Sequence, residues 1–416
     1  MIIGINVAAA IKQPRTGVEE YTYQLIKHLT MLPESGEHRF LLYLPAEVRR
    51  TKAGEPKDSP HLFESEGSSE PERPNPLLRE ERENTFFDFP LPPNFEIKVL
   101  CWPLPFLWTQ IRLAWEILRR SPDVLFIPVH ILPFFSPKNS VVTIHGLEYE
   151  YFQEYYPFWH RVYLKWSTKR AVKKAGKIIA ISENTKNDLI KFYGARAEKI
   201  EVVHHGVFVC HSEAVGRGIS HECGTGIRQR SLAALGMTTR EKPYILYLGR
   251  LETKKNVQGI LEAYKILKEE YQIPHKLVLA GVPGYGYENL KFKIENLKLQ
   301  ITELGYVDED EKWRLLSEAD IFLFPSFYEG FGLPVLEAQA AGVSVVTSAS
   351  SCLPEIAGQG ALFVNPKNPA RIAEAVKQII DDNDLRDRLR QSGFENIKQF
   401  SWEKCAKETL GVIIKI

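Results

Sequence analysis

The sequence predicts two α/β domains of the Rossmann-like type that face each other across a cleft. Short β-branched runs alternate with amphipathic helical stretches, a pattern typical of parallel sheets covered by helices. This alternation stops after residue 208 and starts again after residue 242. A chain of 416 residues also has room for two or three domains, at about 150 residues each.

In the first half of the chain, the alternation begins with a strand followed by a helix over 18–31. The expected strands are 2–7, 40–44, 96–100, 124–127, 141–144, 177–181 and 200–203. Ser182 directly follows the sixth of these strands. Its hydroxyl can accept a free backbone N–H of a first helical turn, so we expect a helix to begin there.

The second half repeats the pattern. The expected strands are 244–248, 276–280, 300–304, 321–324, 343–347 and 361–364. Asp308 with Glu311 three residues later resembles a capping box. Asn368 followed by Pro369 supplies an N-cap and a proline at the first helical position.

Composition sets the expected domain boundaries. The N-terminal domain spans 1–208 and contains a flexible insert at 46–94, rich in Pro, Glu, Ser and Arg and without a periodic apolar pattern. A linker rich in Gly, Arg and Ser follows at 209–242, and the C-terminal domain spans 243–397. Residues 398–416 are expected to form a helix that packs back on the N-terminal domain.

Charge and cysteine content exclude several classes of protein. Lys and Arg total 53 against 52 Asp and Glu, so no overall bias toward nucleic acid is present. The five scattered cysteines form no C-x-x-C pair, which argues against a disulfide framework or a zinc site. The N-terminus lacks signal-peptide features, and the longest apolar stretch, 124–135, is too short to span a bilayer. We therefore expect a cytoplasmic protein, either free or at the inner face of the membrane.

The densest motif is a glycine-containing loop that joins a strand to a helix, with Glu329 on the loop and Glu337 about one turn into the helix. Free N–H groups at such a helix start suit a phosphate or sugar hydroxyls. The loop residues expected to contribute are Gly330, Phe331, Gly332 and Leu333. In isolation the two glutamates would be a solvated loop residue and a surface residue that meets a lysine. Their position after a strand, where ligands bind in open α/β sheets, favours a binding site.

A second motif, Arg250 and Lys255, follows the first strand of the second domain. The planar donor fork of arginine and the point charge of lysine could converge on a diphosphate. Such residues more often only solvate a loop. Together with the glutamate motif they indicate one anion-binding and hydroxyl-binding site.

These motifs resemble the retaining glycosyltransferases of family 4, group 1, which have the GT-B fold. The resemblance implies that Glu329 contacts the donor sugar, that Glu337 holds the nucleotide ribose, and that Arg250 and Lys255 bind the donor diphosphate. The segment 305–307 resembles the loop that reads the base, with Val307 nearest to it.

In the N-terminal half, the loop and helix around Gly17 resemble the family element that approaches the donor phosphate and the acceptor. His145 resembles the active-site histidine that contacts the donor sugar. A glycine, Gly146, stands where the family has an aspartate, so the match carries over His145 alone. The alternative for His145 is a histidine satisfied by a backbone partner at a strand end.

The resemblance implies transfer of a hexosyl group from a GDP- or UDP-sugar, with mannosyl from GDP-mannose as the first candidate. The acceptor would be a glycan or a lipid-linked saccharide in cell-surface polysaccharide assembly. We expect no metal and no other cofactor, because fixed cationic donors can stabilise a departing diphosphate. The alternatives are a catalytically inactive GT-B binding protein, a sugar-nucleotide epimerase and a phosphorylase. A dinucleotide oxidoreductase would need a G-x-G-x-x-G motif that the first strand does not provide.

A final feature is a basic helical stretch in which Arg161, Lys165, Lys169 and Lys173 recur every four residues. Together with nearby aromatic residues, it suits peripheral contact with an anionic membrane or with a lipid-diphosphate acceptor. The alternative is a solvated face whose aromatic neighbours lie in the core.

Overall fold

The computed structural model describes residues 1–12, 15–46, 86–104, 107–208 and 243–416. The expected linker at 209–242 and most of the expected insert lie outside these ranges. The described end of that insert belongs to the core, because Phe86 and Phe87 are buried there with the apolar residues of the N-terminal domain.

The N-terminal domain is built on a sheet of seven parallel strands in the order β3-β2-β1-β4-β5-β6-β7. The strands are β1 Ile2–Asn6, β2 Arg39–Pro45, β3 Phe95–Leu100, β4 Val124–Ile127, β5 Ser140–Ile144, β6 Lys177–Ala180 and β7 Ile200–Val202. Near-continuous apolar strands of this kind are buried on both faces by helices. All seven predicted strands are confirmed, with bounds that differ by at most two residues.

The helices of this domain are α1 Gly17–Met31, α2 Ala114–Arg119, α3 Glu148–Tyr151, α4 Phe158–Lys174 and α5 Glu183–Tyr193. A π-helical turn, Trp108–Leu113, leads into α2. Ser182 caps α5 as predicted, because its Oγ accepts the N–H of Thr185 at 3.1 Å.

The C-terminal domain repeats the architecture with six parallel strands in the order β10-β9-β8-β11-β12-β13. These strands are β8 Tyr244–Leu248, β9 Lys276–Ala280, β10 Ile301–Gly305, β11 Ile321–Phe324, β12 Ser344–Ser348 and β13 Ala361–Val364. The helices are α6 Val257–Glu269, α7 Tyr287–Leu297, α8 Glu309–Glu318, α9 Leu333–Ala340, α10 Leu353–Ala357, α11 Pro369–Asp381 and α12 Asn383–Ile397. The N-caps predicted at Asp308 and Asn368 are confirmed.

The last helix, α13 Trp402–Ile414, returns to the first domain and packs against α1. Trp402, Cys405, Leu410 and Ile413 are buried in the same apolar core as β1 and β2. The polypeptide therefore passes twice between the two domains.

In each sheet the strand order reverses next to the first strand, between β1 and β4 and between β8 and β11. In open parallel sheets, ligands bind beyond the carboxyl ends of the strands at such a point. The loops after β5, β8 and β11 leave the sheets at these carboxyl ends, and they carry His145, Arg250 and Glu329.

Candidate active site

The loop between β11 and α9 is held rigidly by hydrogen bonds. The backbone N–H of Glu329 donates to Ser351 Oγ at 3.1 Å, and that hydroxyl donates to the Glu329 carbonyl at 2.5 Å. The Cys352 thiol donates to the carbonyls of Glu329 and Phe331. Glu329 is only 8% exposed, so its carboxylate is presented from a fixed backbone.

Lys255 and Glu329 form a close ion pair. Lys255 Nζ lies 2.6 Å from Oε1 and 2.7 Å from Oε2 of Glu329, and both side chains are largely buried. Burial of a carboxylate is costly unless a partner compensates it, and Lys255 provides that partner. The pair joins the two motifs that the sequence singled out separately.

Arg250 begins the loop after β8 and is exposed. Among the residues that the structure describes, no hydrogen bond or ion pair of its guanidinium is present. Its carbonyl accepts a hydrogen bond from the Tyr247 hydroxyl at 2.7 Å, which fixes the backbone at this position. The cation is therefore available to an anionic ligand at the strand edge.

The second glutamate of the motif, Glu337, pairs with Lys312 of α8. Lys312 Nζ lies 2.8 Å from Glu337 Oε1 and 2.7 Å from Glu309 Oε2. Burial raises the pKa of Glu337, Lys312 opposes that rise, and the carboxylates of Glu309 and Glu20 add to it. Glu337 thus does meet a lysine, but the pair is largely shielded from solvent, with side-chain exposures of 12% for Lys312 and 16% for Glu337.

The remaining predicted donor residues differ in how they contribute. Val307 is half-buried directly after β10, and Gly332 and Leu333 begin α9. The Phe331 side chain is turned away into a cluster with His205 of the N-terminal domain, 4.7 Å between ring centroids. Phe331 can therefore offer a ligand its backbone and not its ring.

Across the cleft, Gly17 opens α1 as an exposed first helical residue. Apart from its own chain neighbours and helix backbone, no atom of the described residues lies within 4 Å of the position that a Cβ would take there. One turn further, Glu20 is close enough to Glu337 to contribute to its raised pKa. The start of α1 therefore lies near Glu337, at the edge of the candidate site.

His145, at the end of β5, is anchored at two points. Its Nε2 donates to the Pro128 carbonyl at 2.7 Å, and its backbone N–H donates to His130 Nε2 at 3.0 Å. Burial and the neighbouring His130 lower the pKa of His145 to about 3, so the imidazole is neutral. The backbone partner foreseen as the alternative is present, and Nδ1 is left for a ligand.

The two domains touch at the loops that carry His145 and Glu329. A Cβ added to Gly330 would lie 1.9 Å from the His145 carbonyl oxygen, so only glycine permits this approach. Ser182 Oγ donates to the Gly330 carbonyl at 2.9 Å. Tyr328 donates to Asp188 at 2.8 Å and accepts the Leu147 N–H at 3.0 Å. The structure therefore brings His145 and the glutamate loop together.

Sequence reasoning missed several polar residues of this region. Lys312 and Ser351 hold the two motif glutamates, and Lys254 pairs with Glu148 across the cleft at 2.8 Å. Burial opposes ionisation of Glu148, but Lys254 holds its pKa below the usual range. No sequence motif marks these residues, and only their places near strand ends could have suggested them.

The basic helix is more engaged than its spacing suggested. Lys165 pairs with Glu150 at 2.6 Å, and Arg161 Nη1 donates to the Gln153 carbonyl at 3.3 Å. Lys169 and Lys173 are exposed. Within the described ranges, no helix is long and apolar enough to cross a membrane, and no three His, Cys, Asp or Glu side chains converge as a metal site would require.

Two family descriptions match this chain. Glycosyl transferases group 1 matches residues 237–396, and Glycosyltransferase Family 4 matches residues 15–209. The O-antigen chain mannosyltransferase B of Escherichia coli is 31% identical over 304 residues, which cover 72% of this chain and 76% of that protein.

Solved structures share the whole architecture. A glycosyltransferase from Rickettsia africae aligns with a TM-score of 0.65 at 17% identity and covers 100% of this chain and 97% of its own. HepE from Anabaena, in complex with UDP and glucose, aligns with a TM-score of 0.65 at 15% identity and covers 100% and 99%. At such identities the likeness concerns the fold alone, and it confirms the predicted GT-B class.

Proposed function

The chain belongs to the group 1, family 4 glycosyltransferases, and from this premise we propose that it transfers a hexosyl group from a nucleotide-diphosphate sugar to a saccharide acceptor with retention of configuration. The observation that carries the proposal is the buried ion pair of Lys255 and Glu329, set beside the exposed Arg250 and the paired Glu337. The relative named above acts as a mannosyltransferase, which supports GDP-mannose as the donor.

The side chains divide the donor among them. Arg250 and Lys255 bind the diphosphate, and Glu329 accepts hydrogen bonds from the sugar hydroxyls. Glu337 accepts from the ribose, and Val307 lies against the base. Because carboxylates accept two or more hydrogen bonds each, vicinal hydroxyls are their natural partners.

On the facing domain, His145 Nδ1 contacts the donor sugar and Gly17 lets the start of α1 approach the phosphates. A backbone N–H at a helix start interacts favourably with an anion. The neutral state of His145 supports this role, since its unprotonated Nδ1 can accept a hydrogen bond from a hydroxyl.

Catalysis then rests on charge stabilisation. Negative charge grows on the leaving diphosphate, and preorganised cations in a water-poor cleft stabilise it more in the transition state than in the ground state. Arg250 and Lys255 supply that charge, so the reaction needs no metal ion. Addition of EDTA should leave the transfer rate unchanged. A rate that EDTA abolishes and Mn²⁺ or Mg²⁺ restores would contradict this part of the proposal.

For the acceptor, we propose a glycan or lipid-linked saccharide in O-antigen-type polysaccharide assembly, at the cytoplasmic face of the membrane. The relative's name, an O-antigen chain mannosyltransferase, supports this choice. HepE was solved with UDP and glucose, so a UDP-sugar is the second candidate donor.

The test begins with calorimetric titration of GDP, UDP and ADP into the protein. The preferred nucleotide should bind about 10- to 100-fold more weakly to Glu337→Gln, because a charge-assisted hydrogen bond to the ribose is lost. Glu295→Gln, an exposed glutamate of the same domain, is the matched control and should bind like the wild type.

The second stage measures consumption of GDP-mannose and UDP-glucose with and without a saccharide acceptor, and the anomeric configuration of the product by NMR. Nucleotide binding without donor consumption would identify a binding protein. An interconverted sugar nucleotide without transfer would identify an epimerase. Either result overturns the proposal.

A further inference from the structure

Helix α4 exposes an apolar stripe where a solvated helix would be polar. Trp159 is 79% exposed, and Val162 and Trp166 are exposed on the same face at spacings of three and four residues. Lys169 and Lys173 continue that face toward the end of the helix. Two exposed tryptophans on one helix face cost hydration free energy unless something covers them.

A second apolar stripe lies on the helical segment 108–119. Ile111, Trp115 and Leu118 are all exposed, with Trp115 at 54%, and their spacings of four and three residues put them on one face. The opposite face of this segment is buried, through Gln110, Leu113 and others, so the stripe points outward.

Contacts join the two helices and the loop after β4 into one surface. Gln110 Nε2 donates to the Tyr163 hydroxyl of α4 at 3.5 Å, and the ring centroids of Phe134 and Trp166 lie 5.7 Å apart. We define the aromatic surface by the exposed side chains of these three segments. They are Ile111, Trp115, Leu118, Phe134, Phe135, Trp159, Val162 and Trp166.

Cations border the aromatic surface. The Arg119 guanidinium lies 5.9 Å from the Trp115 ring, and that of Arg170 lies 6.0 Å from the Trp166 ring. Segments 108–119 and 158–174 contain one carboxylate, Glu116, and it is paired with Arg112 at 3.1 Å. The surface therefore combines exposed tryptophan with uncompensated positive charge.

We propose that the aromatic surface docks the protein on an anionic lipid bilayer. Tryptophan concentrates at the boundary between headgroups and acyl chains, where an apolar ring and a polar N–H are both accommodated. Each lysine or arginine near anionic lipid adds electrostatic attraction. Docking rests on the aromatic residues, and Lys169 and Lys173 contribute electrostatic attraction. Lys165 contributes less, because its charge is paired with Glu150.

The loop after β4 relates this surface to the cleft. It carries Pro128 and His130, which anchor His145, and four residues later it exposes Phe134. Docking would therefore place the bilayer beside the N-terminal half of the site, where His145 lies. The docking itself does not depend on the proposed function, but if both hold, the acceptor is one that a lipid carries.

The experiment is sedimentation with vesicles of phosphatidylcholine containing phosphatidylglycerol, and with pure phosphatidylcholine. The wild type should bind the anionic vesicles more strongly, and added salt should weaken binding. The double variant Trp115→Ser/Trp159→Ser should lose at least about tenfold in partitioning. Lys169→Gln/Lys173→Gln should lose about fivefold per charge on anionic vesicles only.

Phe292→Ser is the matched control, since Phe292 is 70% exposed on the other domain, and it should bind like the wild type. Donor hydrolysis in solution should be equal in all variants, which separates failed docking from failed folding or failed function. A wild type that ignores anionic vesicles at low salt overturns the proposal. So does a wild-type dimer in light scattering that the tryptophan variant dissociates, because the surface would then join two copies.

Discussion

Lys255 donates to both carboxylate oxygens of Glu329, at 2.6 and 2.7 Å, across 74 positions of sequence. The lysine comes from the loop after β8 and the glutamate from the loop after β11, the two strands that flank the switch point of the second sheet. In the function that we propose, a donor bound there would meet a lysine for its phosphate and a glutamate for its sugar, already fixed relative to each other. Preorganisation of this kind lowers the cost of reaching the transition state.

Lys255→Ala should lower kcat by about 10²-fold while donor affinity falls much less, because charge on the diphosphate grows in the transition state. Steady-state kinetics with the preferred donor gives both quantities. Lys265→Ala, an exposed lysine paired with Glu269, should leave both unchanged. Equal losses in kcat/KM and affinity, with kcat intact, would limit Lys255 to ground-state binding.

Lys312→Met should weaken nucleotide binding about tenfold near neutral pH and shift its pH dependence. Burial raises the pKa of Glu337, and Lys312 opposes that rise, so removal of the lysine raises the pKa further. Affinity that needs the ionised carboxylate is lost as pH falls, and in the variant this loss should begin at a higher pH. Titration calorimetry across pH measures it, and Lys312→Arg should restore the wild-type profile. Parallel profiles would show that the lysine is only structural.

Gly330→Ala should lower kcat by more than about 10²-fold. The added Cβ would collide with the His145 carbonyl and force the domains apart. Nucleotide affinity should change little, because most of the nucleotide contacts that we propose come from the C-terminal domain. Small-angle scattering should show a larger radius of gyration. Gly411→Ala is the control, because a Cβ there meets no atom of another described segment within 4 Å. Wild-type turnover in Gly330→Ala would show that this approach is not required.

His205→Phe should make the protein less sensitive to acid. Both ring nitrogens of His205 are buried without a hydrogen-bond partner among the described residues, and burial lowers the pKa of this histidine. His205 stays unprotonated in the folded state, while in the unfolded chain it binds a proton below pH ~6.5. The free energy of unfolding therefore decreases by about 1.4 kcal/mol for each pH unit below that value.

Phenylalanine keeps the ring contacts with Tyr21 and Phe331 and cannot bind that proton. The variant should therefore have an equal or higher Tm near neutrality and a smaller drop in Tm toward pH ~5. Differential scanning calorimetry at several pH values measures this. His160→Gln, at an exposed histidine, should follow the wild type, and an unchanged acid sensitivity of His205→Phe would refute the assignment.

Much of the fold could be predicted because its signals are local. Ser182, Asp308 and Asn368 each cap a helix through a hydrogen bond to a residue three positions away. Contacts this close in sequence can be predicted from the local residue pattern. Strands that are buried on both faces can be predicted as well, because they appear in the sequence as continuous apolar runs.

The site could be predicted only in part, because its pairings are tertiary. Glu329 and Lys255 could be found as motif residues, but their contact needs the order of the strands. Lys312 lies outside any motif, and the need for glycine at Gly330 comes from the other domain. All three contacts depend on how segments distant in sequence pack together, and the spacing of residues along the chain does not reveal that packing.

The face of α4 shows the same limit. Residues four apart drift around a helix of 3.6 residues per turn, so the four basic residues do not share one solvent exposure. Arg161 and Lys165 turn toward neighbouring backbone and Glu150, while Trp159 and Trp166 face outward. Contacts with Gln153 and Glu150 engage these two cations, and the exposure of the two tryptophans contradicts the alternative that places the aromatic residues in the core.

The return of α13 to the first domain sets an order on biosynthesis. On the ribosome, the chain that forms β1 to β7 emerges long before Trp402 and Leu410, which fill the core between α1 and the sheet. The first half must wait with that core unfilled while the second half, whose strands and helices are contiguous, can fold completely. A chain truncated before residue 402 and released from the ribosome should accordingly show a protease-resistant second half and a protease-sensitive first half, the reverse of their order of synthesis.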